Sequence, residues 1–182
     1  MSFFKKLMGN NTKHTPPNTN DILDRVSIEL KVKLGKECID NERYDDAIKY
    51  LHEYFKLMEE NNFSDLRHLD KPCNYNIAIA YYQTKQYQEA IKHLTKAIEL
   101  DSKYFEAYYL RIQCYLPLNE LKKAILDVDS AVALKPERHD LYMNKGIALL
   151  RLGDKNSAKS VFMLAKMVGN TDADNYIKKY CQ

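Results

Sequence analysis

Between Asn74 and Pro136 the apolar positions follow a helical spacing, and then the pattern repeats. NYNIAIAYYQTKQYQEAIKHLTKAIELDS is followed by YYLRIQCYLPLNELKKAILDVDSAVALKP. Sliding one copy by 34 residues lays Ala90 on Ala124, Ala97 on Ala131 and Tyr81 on Tyr115. A second slide brings Ala158, Ala165 and Leu149 to the same places. A fixed period of this length is the mark of a repeat architecture, in which one helical unit stacks on the next.

The same spacing, read along the chain, predicts helices throughout. Residues 1–19 end in an Asn/Thr/Pro cluster with Pro16 and Pro17, which predicts a flexible leader. From Asp21, Ile22, Val26, Leu30 and Leu34 recur every four residues and predict a first helix, closed by Asn41-Glu42-Arg43. A second begins near Tyr44 and carries Ala47, Ile48, Leu51, Tyr54, Phe55 and Met58. Ala47 lies 43 residues before Ala90, nine more than the period, so residues 62–70 are an insertion in which Phe63, Leu66 and Leu69 suggest a packed helical turn. The next units open at Lys71-Pro72, near Tyr104 and at His139, with Pro117 and Gly153-Asp154 marking turns inside two of them. Thr171 to Asp174 has the spacing of a helix start, and residues 172–181 read as a short terminal helix, apolar on one side and polar on the other.

The recurring alanines have a physical reason. Where two helices cross at ~8–10 Å, only a small side chain fits. Ala47, Ala90, Ala124 and Ala158 occupy one such place, and Ala97, Ala131 and Ala165 a second. Gly35, Ala78 and Gly146 are the small residues of the first helix in a pair, and Leu51, Leu94, Val128 and Phe162 fill the space beside them.

In these residues the chain resembles the tetratricopeptide repeat family. The match spans units 28–61, 71–104, 105–138 and 139–172, with the terminal helix as a cap. The resemblance implies an all-α fold, a right-handed α-solenoid of about four helix pairs within a domain covering residues 20–182. Departures are modest. No Trp stands at the fourth position of a unit, Ile112 replaces a small residue, and Arg111 and Lys145 fall at an apolar place, where their stems are expected to lie along the surface.

Composition narrows the function. The chain has 28 basic against 25 acidic residues, a balance that does not point to nucleic acid. Cys38, Cys73, Cys114 and Cys181 form no CxxC pair and have no His at ligand spacing, so buried thiols in a reducing compartment are expected, and no metal or other cofactor. A Gly-rich phosphate loop, HExxH and GxSxG are all missing, which argues against an enzyme with a small-molecule substrate. His52 and His93 recur on two second helices and, like Asp127 and Asp129, read as a solvated outer face. No apolar run is long enough for a membrane span, and cytoplasmic residence is the expectation.

In the family, first-helix residues line a concave groove that binds extended peptides or helices of partner proteins. Carried over residue by residue, the candidate groove holds Lys33 and Lys36 from the first unit and Tyr75, Asn76, Ile79, Tyr82 and Gln83 from the second. The third contributes Tyr109, Leu110 and Gln113, and the fourth Met143, Asn144, Ile147 and Arg151. Tyrosines and amides suit recognition, burying apolar area while pairing with a partner's backbone. The expected role is a non-catalytic adaptor, scaffold or chaperone-like module. An immunity or antitoxin protein that masks a toxin is the second reading. The third is a nucleic-acid-associated solenoid using Lys31, Lys33, Lys36, Lys122 and Lys123.

Family members that grip the tails of the chaperones Hsp70 and Hsp90 use a carboxylate clamp of Lys, Asn, Asn, Lys and Arg. The matching positions here are Val32, Lys36, Asn76, Glu106 and Leu110, of which only Asn76 agrees. Shifted by one unit they become Tyr75, Ile79, Leu110, Asp140 and Asn144. Clamp-type binding is therefore not expected.

Overall fold

Helices follow one another through the whole of the computed structural model, which describes residues 18–181, and no strand occurs among the described residues. They are α1 (Thr19–Asp40), α2 (Tyr44–Asn61), a 3-10 helix (Ser64–Leu69), α3 (Asp70–Gln83), α4 (Tyr87–Leu100), α5 (Phe105–Tyr115), α6 (Leu121–Leu134), α7 (His139–Arg151), α8 (Lys155–Met167) and α9 (Ala173–Tyr180). The fold is an all-α solenoid of helix pairs. The described residues form two compact units, 18–84 and 85–181. The expected leader falls almost wholly on residues 1–17, outside the described residues, and Asn18 caps α1 by accepting from the Asn20 amide. No helix of the described residues is long and apolar enough to cross a membrane.

In the first unit α1 packs on α2, and α3 packs on both. Gly35 is the reason α1 and α2 can approach: a Cβ there would stand 2.7 Å from Leu51 Cγ. The core face of α1 is Ile28, Gly35 and Cys38, not the four-residue series read from sequence, since Val26 and Leu30 are exposed at 45% and 47%. Four-residue steps advance ~40° around a 3.6-residue helix at each repeat, so such a series drifts off the core face. The insertion is ordered by its packing. Leu66 is buried, Asp65 takes a two-point hydrogen bond from Arg25 at 2.5 and 3.1 Å, and the Arg25 guanidinium lies 4.4 Å above the Phe63 ring. Pro72 is the third residue of α3 rather than the first, still in the turn where an amide has no intrahelical acceptor.

In the second unit consecutive helices pack in order from α4 to α9. Small residues again set the approach, with complementary sizes sixteen positions apart. Gly146 faces Phe162, with a Cβ at 146 placed 2.3 Å from the ring, while the larger Ile112 shares its core cluster with the smaller Val128. Ala124, Ala131, Ala158 and Ala165 are all buried, as are Ala47, Ala90 and Ala97.

Three helix-pair turns share one device that sequence reading missed. Glu42, Asn119 and Gly153 have positive φ of 58°, 58° and 85°. After each, the next amide reaches back five residues: Arg43 to the Cys38 carbonyl, Glu120 to Tyr115 and Asp154 to Leu149. This is the Schellman ending, in which a left-handed residue lets two orphan carbonyls be satisfied. Lys85, with φ of 60°, holds the place one period before Asn119. At the other end, Asp154 also caps α8 by accepting from the Ser157 amide, whereas Thr171 does not cap α9, which Asp172 precedes without a side-chain bond.

Candidate functional site

Each candidate contact residue stands on the first helix of a pair and none is fully buried. In the first unit, Lys33 and Lys36 are exposed on α1, while Tyr75, Asn76, Ile79 and Tyr82 are half-buried on α3 and Gln83 is exposed at its end. In the second, Tyr109, Leu110 and Gln113 on α5 and Met143, Asn144 and Ile147 on α7 are half-buried, and Arg151 is exposed.

Polar contacts at both ends bring α5 and α7 side by side. Near their starts the Tyr109 hydroxyl bonds Asp140, and Arg138 lies 5.0 Å above the Tyr109 ring while reaching Asp140 at 2.7 and 3.0 Å. Burial and the bond to Asp140 push the Tyr109 hydroxyl above its ordinary pKa. Burial also acts to raise the Asp140 carboxyl, but Arg138 and Tyr109 outweigh it and hold it below the usual carboxylate range. Near their ends Arg151 donates to the Leu116 carbonyl at 2.7 Å and to Asn119 Oδ1 at 3.0 Å. Between these anchors lie Gln113 and Asn144, whose side-chain amides have no hydrogen-bond partner among the described residues. Met143 and Ile147 pack partly on the core cluster around Phe162, which fixes the floor of this face.

Beneath it, Arg111 turns inward rather than along the surface. It grips Asp127 with two hydrogen bonds at 2.7 and 2.8 Å and Thr95 Oγ1 with a third at 2.9 Å, joining α4, α5 and α6. Burial opposes the guanidinium's charge, but the Asp127 carboxylate more than compensates and its pKa is raised. Asp127 is thus a buried partner, not a solvated-face residue, and His93 is buried as well. One period later Lys145 binds Asp129 at 2.5 Å. Thr95 and Asp129 are 34 residues apart, as are Arg111 and Lys145, so this polar rung is itself a repeated element.

The lysines of the nucleic-acid reading are partly compensated by acids. Lys31 pairs with Glu53 and Lys123 with Glu120. The four thiols are buried and free, and burial pushes Cys73 and Cys114 up to about 12, far from a reactive thiolate. Among the described residues no three His, Cys, Asp or Glu side chains stand together to hold a metal.

Family models described as tetratricopeptide repeat match residues 73–104 and 139–167, the stretches that carry Ala90 with Ala97 and Ala158 with Ala165. The chain is a tetratricopeptide-repeat protein. Human serine/threonine-protein phosphatase 5 is 32% identical to it over 127 residues, 70% of this chain and 23% of that protein. The DnaJ homolog subfamily C member 7 homolog of Dictyostelium discoideum is 27% identical over 153 residues, covering 84% of this chain and 27% of its own. The repeat chain thus spans about a quarter of the length of these curated relatives. Among solved structures, MamA superposes with a TM-score of 0.69 at 26% identity over 81% of each chain. YrrB, a TPR protein with an unusual peptide-binding site, shares the fold with a TM-score of 0.73 at 17% identity, over 88% of this chain and 79% of its own.

Proposed function

We propose that this tetratricopeptide-repeat chain is a non-catalytic interaction module that holds a peptide or helix of a partner protein, as an adaptor or scaffold. The observation that carries the reading is the face formed by α5 and α7. Half-buried apolar groups there, Tyr109, Leu110, Met143 and Ile147, alternate with the Gln113 and Asn144 amides, which lack a partner among the described residues. An extended peptide laid along that face finds apolar area to bury and two amides to bond its backbone. Arg138, Asp140 and Arg151 hold the two helices in register beforehand, so binding orders few side chains. On the first unit, Tyr75, Asn76 and Ile79 of α3 present the same chemistry.

A clamp for a chaperone tail is not part of this reading. Glu106 stands at a position where the clamp needs a cation, and it is ion-paired to Lys135 at 3.0 Å. The test is a pull-down from native cells with the wild-type chain beside a Tyr75→Ala/Asn76→Ala/Tyr109→Ala variant that keeps the wild-type circular dichroism. Loss of the captured protein is the expected result. Retention of it unchanged would refute the assignment to the first-helix faces.

A further inference from the structure

We propose that a cleft between α7 and the terminal helix α9 receives the partner's anchoring residue, a large aromatic or branched aliphatic side chain standing next to a carboxylate. This rests on the reading of the α5–α7 face as a peptide site, and adds to it the partner's chemistry and a role for the cap. The cleft has a volume of about 330 Å³ and is lined by Ile147, Leu150, Arg151, Tyr176 and Tyr180. Ligand pockets run from roughly 300 to 1,000 Å³, so this one has room for a single large side chain rather than a cofactor.

Its walls are apolar and braced. Ile147 and Leu150 are three residues apart on one face of α7, and both pack on the core cluster around Phe162. Tyr176 lies against the Phe162 ring at 5.3 Å and against Tyr180 at 5.6 Å, so a buried ring backs the aromatic wall. Its rim is cationic. Arg151 is held by two neutral acceptors, the Leu116 carbonyl and Asn119 Oδ1, which fix its guanidinium without cancelling its charge. Lys179, in the last turn of α9, lies 5.0 Å above the Tyr180 ring.

Arg151 has no carboxylate partner among the described residues, and the acids of α7, α9 and the turn before α8 are engaged elsewhere. Asp140 is bound by Arg138, Asp174 by Lys166, and Asp154 caps α8. Apolar walls of tyrosine beside an exposed arginine are the side chains that dominate protein interfaces. An uncompensated positive rim selects a partner with negative charge beside its anchor.

The test selects a phage-displayed library of random peptides on the full chain. Enriched peptides are then synthesised and their affinities measured by fluorescence anisotropy. Four variants are compared: Ile147→Trp, which fills the cleft, Arg151→Glu, which reverses its rim, and Gln113→Ala and Asn144→Ala on the face outside it. Circular dichroism melts confirm that each variant is folded. The expected winners carry Phe, Tyr, Trp, Leu or Ile next to Asp, Glu or the terminal carboxylate. Ile147→Trp and Arg151→Glu should each weaken them at least tenfold, and exchanging the peptide's acid for Lys should restore binding to Arg151→Glu. Winners weakened by Asn144→Ala or Gln113→Ala, but not by Ile147→Trp or Arg151→Glu, would overturn the cleft and leave the peptide face standing. Winners indifferent to all four variants, or no enriched peptide at all, would overturn both.

Discussion

Gly146→Ala tests the packing rule of the repeat at its tightest point. An alanine Cβ would sit 2.3 Å from Phe162 Cε1 and 2.7 Å from both Cδ1 and Cζ. Carbon atoms rest ~3.5–4.0 Å apart, so the ring must retreat by more than an ångström. It has little room, being fully buried among Ala158, Ala165 and Ala173, with Tyr176 against it. Forced overpacking costs about 1–3 kcal/mol, and the size of this overlap places it near the upper figure. Alanine recovers about 1 kcal/mol as the better helix former, which leaves a net loss of about 2 kcal/mol. For a chain of this length that lowers Tm by roughly 6 °C.

The decisive form is a double-mutant cycle with Phe162→Leu, measured by urea unfolding at constant m. In that background the overlap is relieved and Gly146→Ala should become stabilising, for a coupling of about 3 kcal/mol. Additivity within about 0.5 kcal/mol, or a neutral single mutant, would refute the claim that Gly146 exists to admit the ring.

The remaining predictions concern the buried pair, the turns and acid stability. Asp127→Ala leaves the Arg111 guanidinium buried without its anion and should cost about 3–5 kcal/mol by urea unfolding, while Arg111→Met with Asp127→Leu should cost far less. Equal losses in both would contradict a charge-pair origin. At the left-handed positions, Glu42→Gly and Lys85→Gly should each stabilise by about 1 kcal/mol, and Gly153→Ala, whose Cβ meets no atom within 4 Å, should destabilise by about 1–2 kcal/mol through φ alone. Unchanged melting of all three would remove the strain argument. Asp65, through its bonds from Arg25, and Asp140, through Arg138 and Tyr109 against the pull of burial, both sit below the usual carboxylate range. A lowered folded pKa gives stability that is present above the unfolded value of about 3.9 and is lost as pH falls through the folded one. The urea midpoint should therefore drop below about pH 4, and Asp140→Asn should flatten that drop. An acid limb identical to the wild type would show that Asp140 contributes nothing to it.

What could be read from sequence was whatever sterics repeat. A crossing that tolerates only Ala or Gly writes the same letter every 34 residues, so the helix pairs and the cap were visible. Two of the Schellman turns were hidden because Glu42 and Asn119, like Lys85 one period earlier, adopt left-handed backbone without being glycine, the letter that normally announces it. The Arg111–Asp127 pair was missed because its partners stand sixteen residues apart on two helices, and each residue looks solvated alone. The 34-residue phase of Thr95 with Asp129 was a signal that could have found the rung. On α1 the drift of a four-residue series misdirected the choice of core face. The candidate contact residues came from family geometry, and the cleft beside α9 did not, because a cleft beside a cap depends on how the last helix folds back.

The central claim, that the first-helix faces hold a partner protein, is tested most directly by site-specific photocrosslinking in the native cell. A benzophenone amino acid is placed one at a time at Tyr75, Tyr109 and Asn144, and for comparison at the outward positions Lys92, Leu126 and Lys159. Adducts of one size from the first three positions and none from the last three are the predicted result. Adducts from Lys92, Leu126 or Lys159 alone would contradict it.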